Sequence, residues 1–413
     1  MTPLKRYIYI TTFVLSSVFC PNLKAQESLD DFILTALEDL NLQQYESQIQ
    51  FLTKRTYSLP LIDKLEARFD NDDLTKDDQE YALRLKPNNP WKVRRNNALF
   101  NASKLELQAE KKILLNENLY WRYELALGYL IEQEAQATAN AKLDIINQMA
   151  TILSENQQSV LFDPKSYVGI KLKQIDALST IGEIKQASNF YTQHITTILH
   201  TTQFNWDNVE LISVENVEAH ALDIIKNQLS SSEALLLASQ IEVAKKEIRL
   251  ENSNFDIGFI QTKYQPYSTN KSNFGVSFGI NIPLFKSNKN KIAEGKMAEI
   301  ALSNELVSTQ HSDSLNRAVN YQYLLQLIEQ HKMLEEQIDL LDLDSITKNL
   351  SLIQDNNPIS YLELKEGILK LDELRFKSKK AVLEQYLEFL VAFDALAAQP
   401  LINHLSNHLE PLK

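Results

Sequence analysis

The chain has 413 residues and a formal net charge of -12, and its single cysteine is Cys20. The acidic balance and the absence of a concentrated basic face exclude a general nucleic-acid binder. The cysteine usage excludes a disulfide framework. Only 8 glycines and 11 prolines occur, and the prolines leave uninterrupted runs over 91–163, 165–265 and 284–357. These runs are rich in Leu, Ala, Lys, Glu and Gln, a composition that suits very long helices rather than ordinary domains.

Residues 1–25 read as a secretory signal: Lys5 and Arg6, an apolar run from Tyr7 to Phe19, then Leu-Lys-Ala before Gln26. Cys20 falls in this part, and the bulky Phe19 before it argues against a lipoprotein signal. No other segment reaches the roughly 18–20 apolar residues of a spanning helix. Any membrane crossing is therefore by strands.

Residues 26–60 form an N-terminal segment, with a helix expected over 28–58 and ended by Pro60. A first β-hairpin is expected in 61–90. Leu65, Ala67 and Phe69 alternate with Lys64, Glu66 and Arg68, and Tyr81, Leu83 and Leu85 alternate with Ala82, Arg84 and Lys86. The loop between them holds Asp72, Asp73, Asp77 and Asp78. It lacks the glycine and terminal glutamate of a calcium loop and reads as a solvated extracellular turn. Trp91 at the junction suits an interfacial aromatic.

A long helical hairpin follows over 91–250, with a break near Asp163-Pro164 and an interruption at 201–213. The second β-hairpin occupies 251–285. Its second strand is the clearest in the chain: Phe274, Val276, Phe278 and Ile280 on one face, Gly275, Ser277, Gly279 and Asn281 on the other. Large apolar residues opposite small polar ones suit a barrel wall between lipid and water, although a half-buried strand of a soluble sandwich has the same period. The partner strand is less regular and places Phe255, Ile257 and Phe259 on one face. A second helical hairpin covers 286–399, broken at Asp355 to Pro358, and 400–413 form a tail.

The chain is two copies of one plan: hairpin, long helix, proline break, long helix. Pro164-Lys165-Ser166-Tyr167-Val168 matches Pro358-Ile359-Ser360-Tyr361-Leu362. Helices of this length extend on the order of 100 Å, and no compact globule accommodates them. Four amphipathic strands cannot close a barrel in lipid, for which about eight are needed, so the barrel must be shared between chains.

The sequence FGVSFGINIPLF before a long helix, NPISYLELKEGILKLDEL opening the last helix, the signal peptide and the two-fold repeat resemble the TolC family of outer-membrane efflux proteins. The resemblance covers essentially the whole chain after the signal. It implies a mainly α fold with a membrane β-barrel contribution: a homotrimer whose twelve-stranded β-barrel continues into a periplasmic α-helical barrel. The interruption at 201–213 and the tail would lie at an equatorial level. The implied partners are a periplasmic adaptor (membrane fusion) protein, an inner-membrane transporter and outer-membrane lipid, with no nucleic acid and no cofactor. The implied role is a passive conduit in a tripartite export system, located in the outer membrane and extending into the periplasm. The Val-Gly-Leu-like triplet that family members often carry before the break is replaced by Val160-Leu161-Phe162 and Leu352-Ile353-Gln354.

The family closes its periplasmic end at the helix tips, so Asp163 and Asp355 become candidate gate residues, forming carboxylate rings in a trimer. Both also read as helix N-cap or turn residues ahead of proline. Pro164, Ser166, Tyr167, Pro358, Ser360 and Tyr361 are candidate tip contacts to the adaptor, and equally tip packing and capping residues. The lipid-facing candidates are Leu65, Phe69, Tyr81, Leu83, Leu85, Phe274, Val276, Phe278 and Ile280. His404 and His408 have the spacing of a metal pair on a helix but no third ligand, so no metal site is assigned. There is no phosphate loop, HExxH or nucleophile elbow, so no enzyme is expected. The alternative to a channel is a periplasmic coiled-coil adaptor or scaffold without a pore, though an adaptor has one helical hairpin flanked by glycine-rich β domains.

Overall fold

A computed structural model describes residues 28–54, 58–71, 79–155, 162–204, 206, 209–227, 231–253, 257–266, 273–281, 288–343, 345, 346, 348 and 358–412. In chain order the elements are helices α1 (Leu29–Leu34) and α2 (Leu40–Thr53), strands β1 (Ile62–Asn71) and β2 (Gln79–Pro87), and helices α3 (Pro90–Glu155), α4 (Pro164–Leu199), α5 (Val214–Asn227) and α6 (Ser232–Glu251). Strands β3 (Phe259–Tyr264) and β4 (Phe274–Gly279) follow, then helices α7 (Lys289–Asp339) and α8 (Pro358–Ala392). The single helix expected over 28–58 is divided. A 3-10 turn at Thr35–Glu38 leads to Asp39, whose carboxylate caps α2 through Asn41 N.

Helix starts are set by side chains that take up orphan N–H groups. Ser28 and Asp31 form a capping box on α1, and Ser231 caps α6. Asn89 caps α3: its Oδ1 accepts from Trp91 N at 3.0 Å, and its Nδ2 donates to Ser253 O at 3.0 Å. That second bond ties the root of β2 to the end of α6. Proline stands first in α3, α4 and α8, where its missing N–H costs no helical hydrogen bond.

The 66 residues of α3 make a rod of about 100 Å. Towards the sheet it packs on α2 and α6, and α6 packs on α7. Towards the far end it packs on α4 and α8, and α8 packs on α7. Around its middle α3 is buried on most sides (Leu119, Tyr123, Leu125, Ala126, Leu127, Leu130, Ile131), which is unusual for one helix of a bundle. The cover comes from α1, α5, the segment before α5 and the C-terminal tail, which join it in the main core. Tyr123 Oη donates to Ile402 O at 2.7 Å, Asn403 Nδ2 donates to Asp30 Oδ1 at 2.7 Å, and Ile212 N donates to Leu405 O at 2.8 Å. The two ends of the described chain and the 201–213 interruption thus meet at mid-rod. Trp206, buried against Phe32, Tyr129 and Phe204, is the aromatic centre of this knot.

Candidate functional site

The four strands form one antiparallel sheet in the order β1-β2-β3-β4. Its central pairing joins two hairpins that the helices α3 to α6 separate in sequence, with Leu83 opposite Thr262 and Leu85 opposite Ile260. Because directly paired residues share a face, the register sorts the sheet. One face carries Leu65, Ala67 and Phe69; Tyr81, Leu83 and Leu85; Ile260, Thr262 and Tyr264; and Phe274, Val276 and Phe278. The other carries Lys64, Glu66, Arg68 and Asp70; Glu80, Ala82, Arg84 and Lys86; Phe259, Gln261 and Lys263; and Gly275, Ser277 and Gly279.

All the apolar strand candidates within the sheet therefore lie on one face, and Ile280 follows directly after β4. Among the described residues none is covered by another layer: Phe274 is 74% exposed, Phe278 72% and Leu83 50%. A soluble sandwich would bury this face against a second sheet or helix. Phe259 departs from the sequence expectation, lying on the polar face while Ile260 takes the apolar one. The inversion falls next to Gly258, whose φ of +114° is a left-handed conformation that a side chain rarely adopts; a Cβ there would lie 1.8 Å from Gly279 O.

On the polar face, Glu66 binds Lys64 at 2.7 Å and Arg68 at 2.7 Å, and Glu80 binds Lys263 at 2.6 Å. The Arg84 guanidinium lies 3.4 Å from the centre of the Phe259 ring. That ring occupies the space over Gly279, where a Cβ would sit 2.3 Å from it.

At the other end of the rods, α4 and α8 begin side by side against the last turns of α3. Ile146, Met149, Leu153, Ile170 and Leu362 form a second core, with Tyr167, Ile359 and Tyr361 packed on it. The two Pro-X-Ser-Tyr segments thus meet. Tyr167 is 5.8 Å from Phe162 ring to ring, and Lys171 and Lys365 stand over Tyr167 and Tyr361. Asp163 caps α4: its carboxylate accepts from Lys165 N at 3.0 Å and from Ser166 Oγ at 2.5 Å. The Ser166 bond, followed by the backbone one, holds Asp163 below the usual carboxylate range. Asp355 and the Leu352-Ile353-Gln354 stretch lie outside the described residues, as does Val160-Leu161.

His404 and His408 do not share a helical face, because the tail runs in turns and bridges rather than as a helix. His404 is 2% exposed and faces His220, at 5.4 Å between rings, while His408 is exposed. Among the described residues no group of three metal-ligating side chains occurs, and no helix is long and apolar enough to cross a membrane.

Sequence reading missed the open edges. At the sheet level β1 and β4 are terminal strands. On α4 the exposed Val168, Leu172, Ile175 and Leu178 run along the face opposite the buried Ile170, Ile181 and Ile195. On α7 the exposed Met297, Ile300, Val307, Leu315 and Val319 lie opposite Leu324, Ile328 and Ile338. The helical spacings of both stripes, three and four on α4 and three, four, seven and eight on α7, were legible in the sequence, but only the packing shows which stripe is left uncovered.

No protein-family model matches the chain, and no curated protein does. Solved structures of outer-membrane channels match it over nearly its whole length. VceC of Vibrio cholerae is 11% identical, with 89% of this chain and 96% of that chain covered and a TM-score of 0.61. MtrE of Neisseria gonorrhoeae, in its open state, is 12% identical over 92% of this chain and 90% of that one, with a TM-score of 0.60. A Pseudomonas aeruginosa membrane protein is 11% identical over 90% and 92%, with a TM-score of 0.60. The chain has the fold of these channels, so the resemblance to the TolC family holds at the level of fold.

Proposed function

We propose that the protein is a trimeric outer-membrane channel, a passive conduit serving a periplasmic adaptor and an inner-membrane pump. The observation that carries this reading is the single-layer sheet, which among the described residues is uncovered on its apolar face and unpaired at both edges, with a helical rod of about 100 Å beside it. A free edge in lipid costs several kcal/mol for each unpaired backbone group, so β1 of one chain pairs with β4 of the next until the sheet closes. Three chains supply the twelve strands of the barrel, whose apolar face meets lipid and whose polar face lines the pore.

The helical edges support the same closure. Near the sheet the free edges are α2, with exposed Leu40 and Phe51, and α7; at the far end they are α4 and α7, with the stripes described above. Neighbouring chains cover these stripes and complete an α-helical barrel. The Asp163 and Asp355 carboxylates ring its periplasmic mouth, and the Pro-X-Ser-Tyr tips meet the adaptor. The main core sits at the equator. The chain carries no catalytic site in this reading; energy and cargo choice belong to the inner-membrane partner.

The test is the detergent-corrected mass of the protein extracted from outer membranes. About three protomers per particle are expected from strand arithmetic. A monomer in the soluble periplasmic fraction would overturn the channel reading and favour an adaptor or scaffold without a pore.

A further inference from the structure

The C-terminal tail is doubled on itself and pressed into the main core. Asn403 N donates to Glu410 O at 2.8 Å, and Leu412 N to Leu401 O at 2.9 Å. Three other parts of the chain hold its inner edge. Asn403 Nδ2 donates to Asp30 of α1, Ile212 N donates to Leu405 O at 2.8 Å, and Ser213 N donates to Asn407 Oδ1 at 2.7 Å. Leu405, fully buried, is the apolar anchor.

His404 sits at the centre of this contact, 2% exposed, with neither ring nitrogen hydrogen-bonded. A neutral imidazole has one nitrogen that donates and one that accepts. A proton added here turns both into donors on a charged ring that has no water around it. The groups that face the ring do not take up that charge. Tyr123 of α3 meets it edge-on at 5.6 Å, and its hydroxyl is already engaged, donating to Ile402 O and accepting from His404 N. His220 of α5 lies 5.4 Å away, and its Nδ1 shares a proton with the Tyr386 hydroxyl of α8 at 2.5 Å. Asp30 and Asp223 act on Tyr123 and His220 respectively, while His220 itself opposes a positive His404.

We propose that the tail is an acid-sensitive latch: protonation of His404 releases residues 401–412 from α1, α3, α5 and the 211–213 segment while the helical rods stay packed. Release returns the charge to water. It gives up the burial of Leu405 and the hydrogen bonds named above, none of which joins one rod to another. Chain ends open at lower cost than the core beneath them. The latch is a property of this chain's own core and does not depend on the channel reading. Above about pH 6.5 the imidazole is neutral in both the docked and the released tail, and docking is at full strength. Below it the released tail takes the proton, whereas the docked one resists until about 3. The released fraction therefore rises by up to about tenfold for each pH unit in that window.

The test is amide hydrogen exchange of the full-length protein in detergent, expressed as protection over the unstructured chain at each pH. Between pH 7.5 and 5, protection at residues 404, 212 and 213 is expected to fall by about thirtyfold, the effect of some 1.5 units below 6.5. Protection across Leu119–Ile131 of α3 is expected to hold. His404→Leu and His404→Gln both remove the ionisable ring, and either one is expected to abolish the pH dependence. His408→Gln, at an exposed position of the same tail, is expected to keep it. Unchanged protection of the parent tail at pH 5 would refute the latch. Equal loss in the tail and in α3 would also refute it, because acid would then open the whole core. A parental pH dependence in the folded His404 variants would assign the effect to another group and overturn the proposal.

Discussion

Leu85 and Ile260 are register partners across β2 and β3, although helices α3 to α6 lie between them in the chain. That one pairing merges two separate hairpins into a single sheet. It also aligns their apolar residues on one side, since a one-residue slip of β3 would put Phe259, Gln261 and Lys263 on that face instead. Asn89, bonded to Ser253 O, ties the root of β2 to the end of the helix that precedes β3.

The two faces should respond oppositely to charge. Lysine in place of Val276 or Leu83 is expected to cost about 2–4 kcal/mol if the residue lies near the bilayer midplane. Lysine in place of Ser277, one residue away on the polar face, is expected to be tolerated. The yield of folded protein in the outer-membrane fraction reads both. Equal tolerance of V276K and S277K would mean that the face meets no lipid.

Glycine positions in the same sheet should separate sharply. Gly258→Ala meets Gly279 O and a left-handed backbone, and is expected to destabilise the sheet by at least 1 kcal/mol. At Gly275 the nearest atom to an added Cβ is Lys263 Cβ, at 4.0 Å, so Gly275→Ala should be close to neutral. Thermal unfolding of the purified protein ranks the two, and an equal loss from both would contradict the strained, crowded backbone at Gly258.

His404 makes the main core acid-sensitive. Both its ring nitrogens are buried without a hydrogen-bond partner. Burial, reinforced by His220, lowers it to about 3. The surrounding titratable groups are Tyr123 on α3, His220 on α5 and Tyr386 on α8; Asp30 and Asp223 act on Tyr123 and His220 respectively. The unfolded chain takes the proton near 6.5, before the folded one does. Stability is therefore intact above about pH 6.5 and declines as pH falls toward 3, by up to about 1.4 kcal/mol per unit. His404→Leu should flatten the acid limb of a melting-temperature profile between pH 7.5 and 5. An unaltered acid limb would show that other groups set it.

Asp163 offers a separation of capping from gating. Asp163→Ser keeps an N-cap acceptor and removes the charge, whereas Asp163→Ala removes both and should cost about 1 kcal/mol at the start of α4. If the carboxylates close the mouth, Asp163→Ser with Asp355→Ser raises the entry of small solutes into cells as much as the double alanine variant does. Entry at the parental level with both pairs would leave Asp163 as a cap alone.

The broad plan was legible because it rests on local physics. Period-two alternation in 64–69, 81–86 and 274–281, long proline-free runs and the Asp-Pro start of α4 each act within a few residues. They identify β1, β2, β4 and the ends of α3 and α4 without any partner. What needed the tertiary structure lies where distant segments meet. Phe259 takes the polar face because Gly258 turns the chain and Gly279 leaves room for the ring, two facts about opposite strands. His404 is a buried neighbour of His220 and not of His408, since the tail folds back in turns onto α3 and α5. The stripes on α4 and α7 have the same spacing as buried ones, and only the packing of α3 and α8 shows which face the chain itself leaves open. Sequence period records how a segment divides its surface; which half is covered depends on what the rest of the chain brings to it.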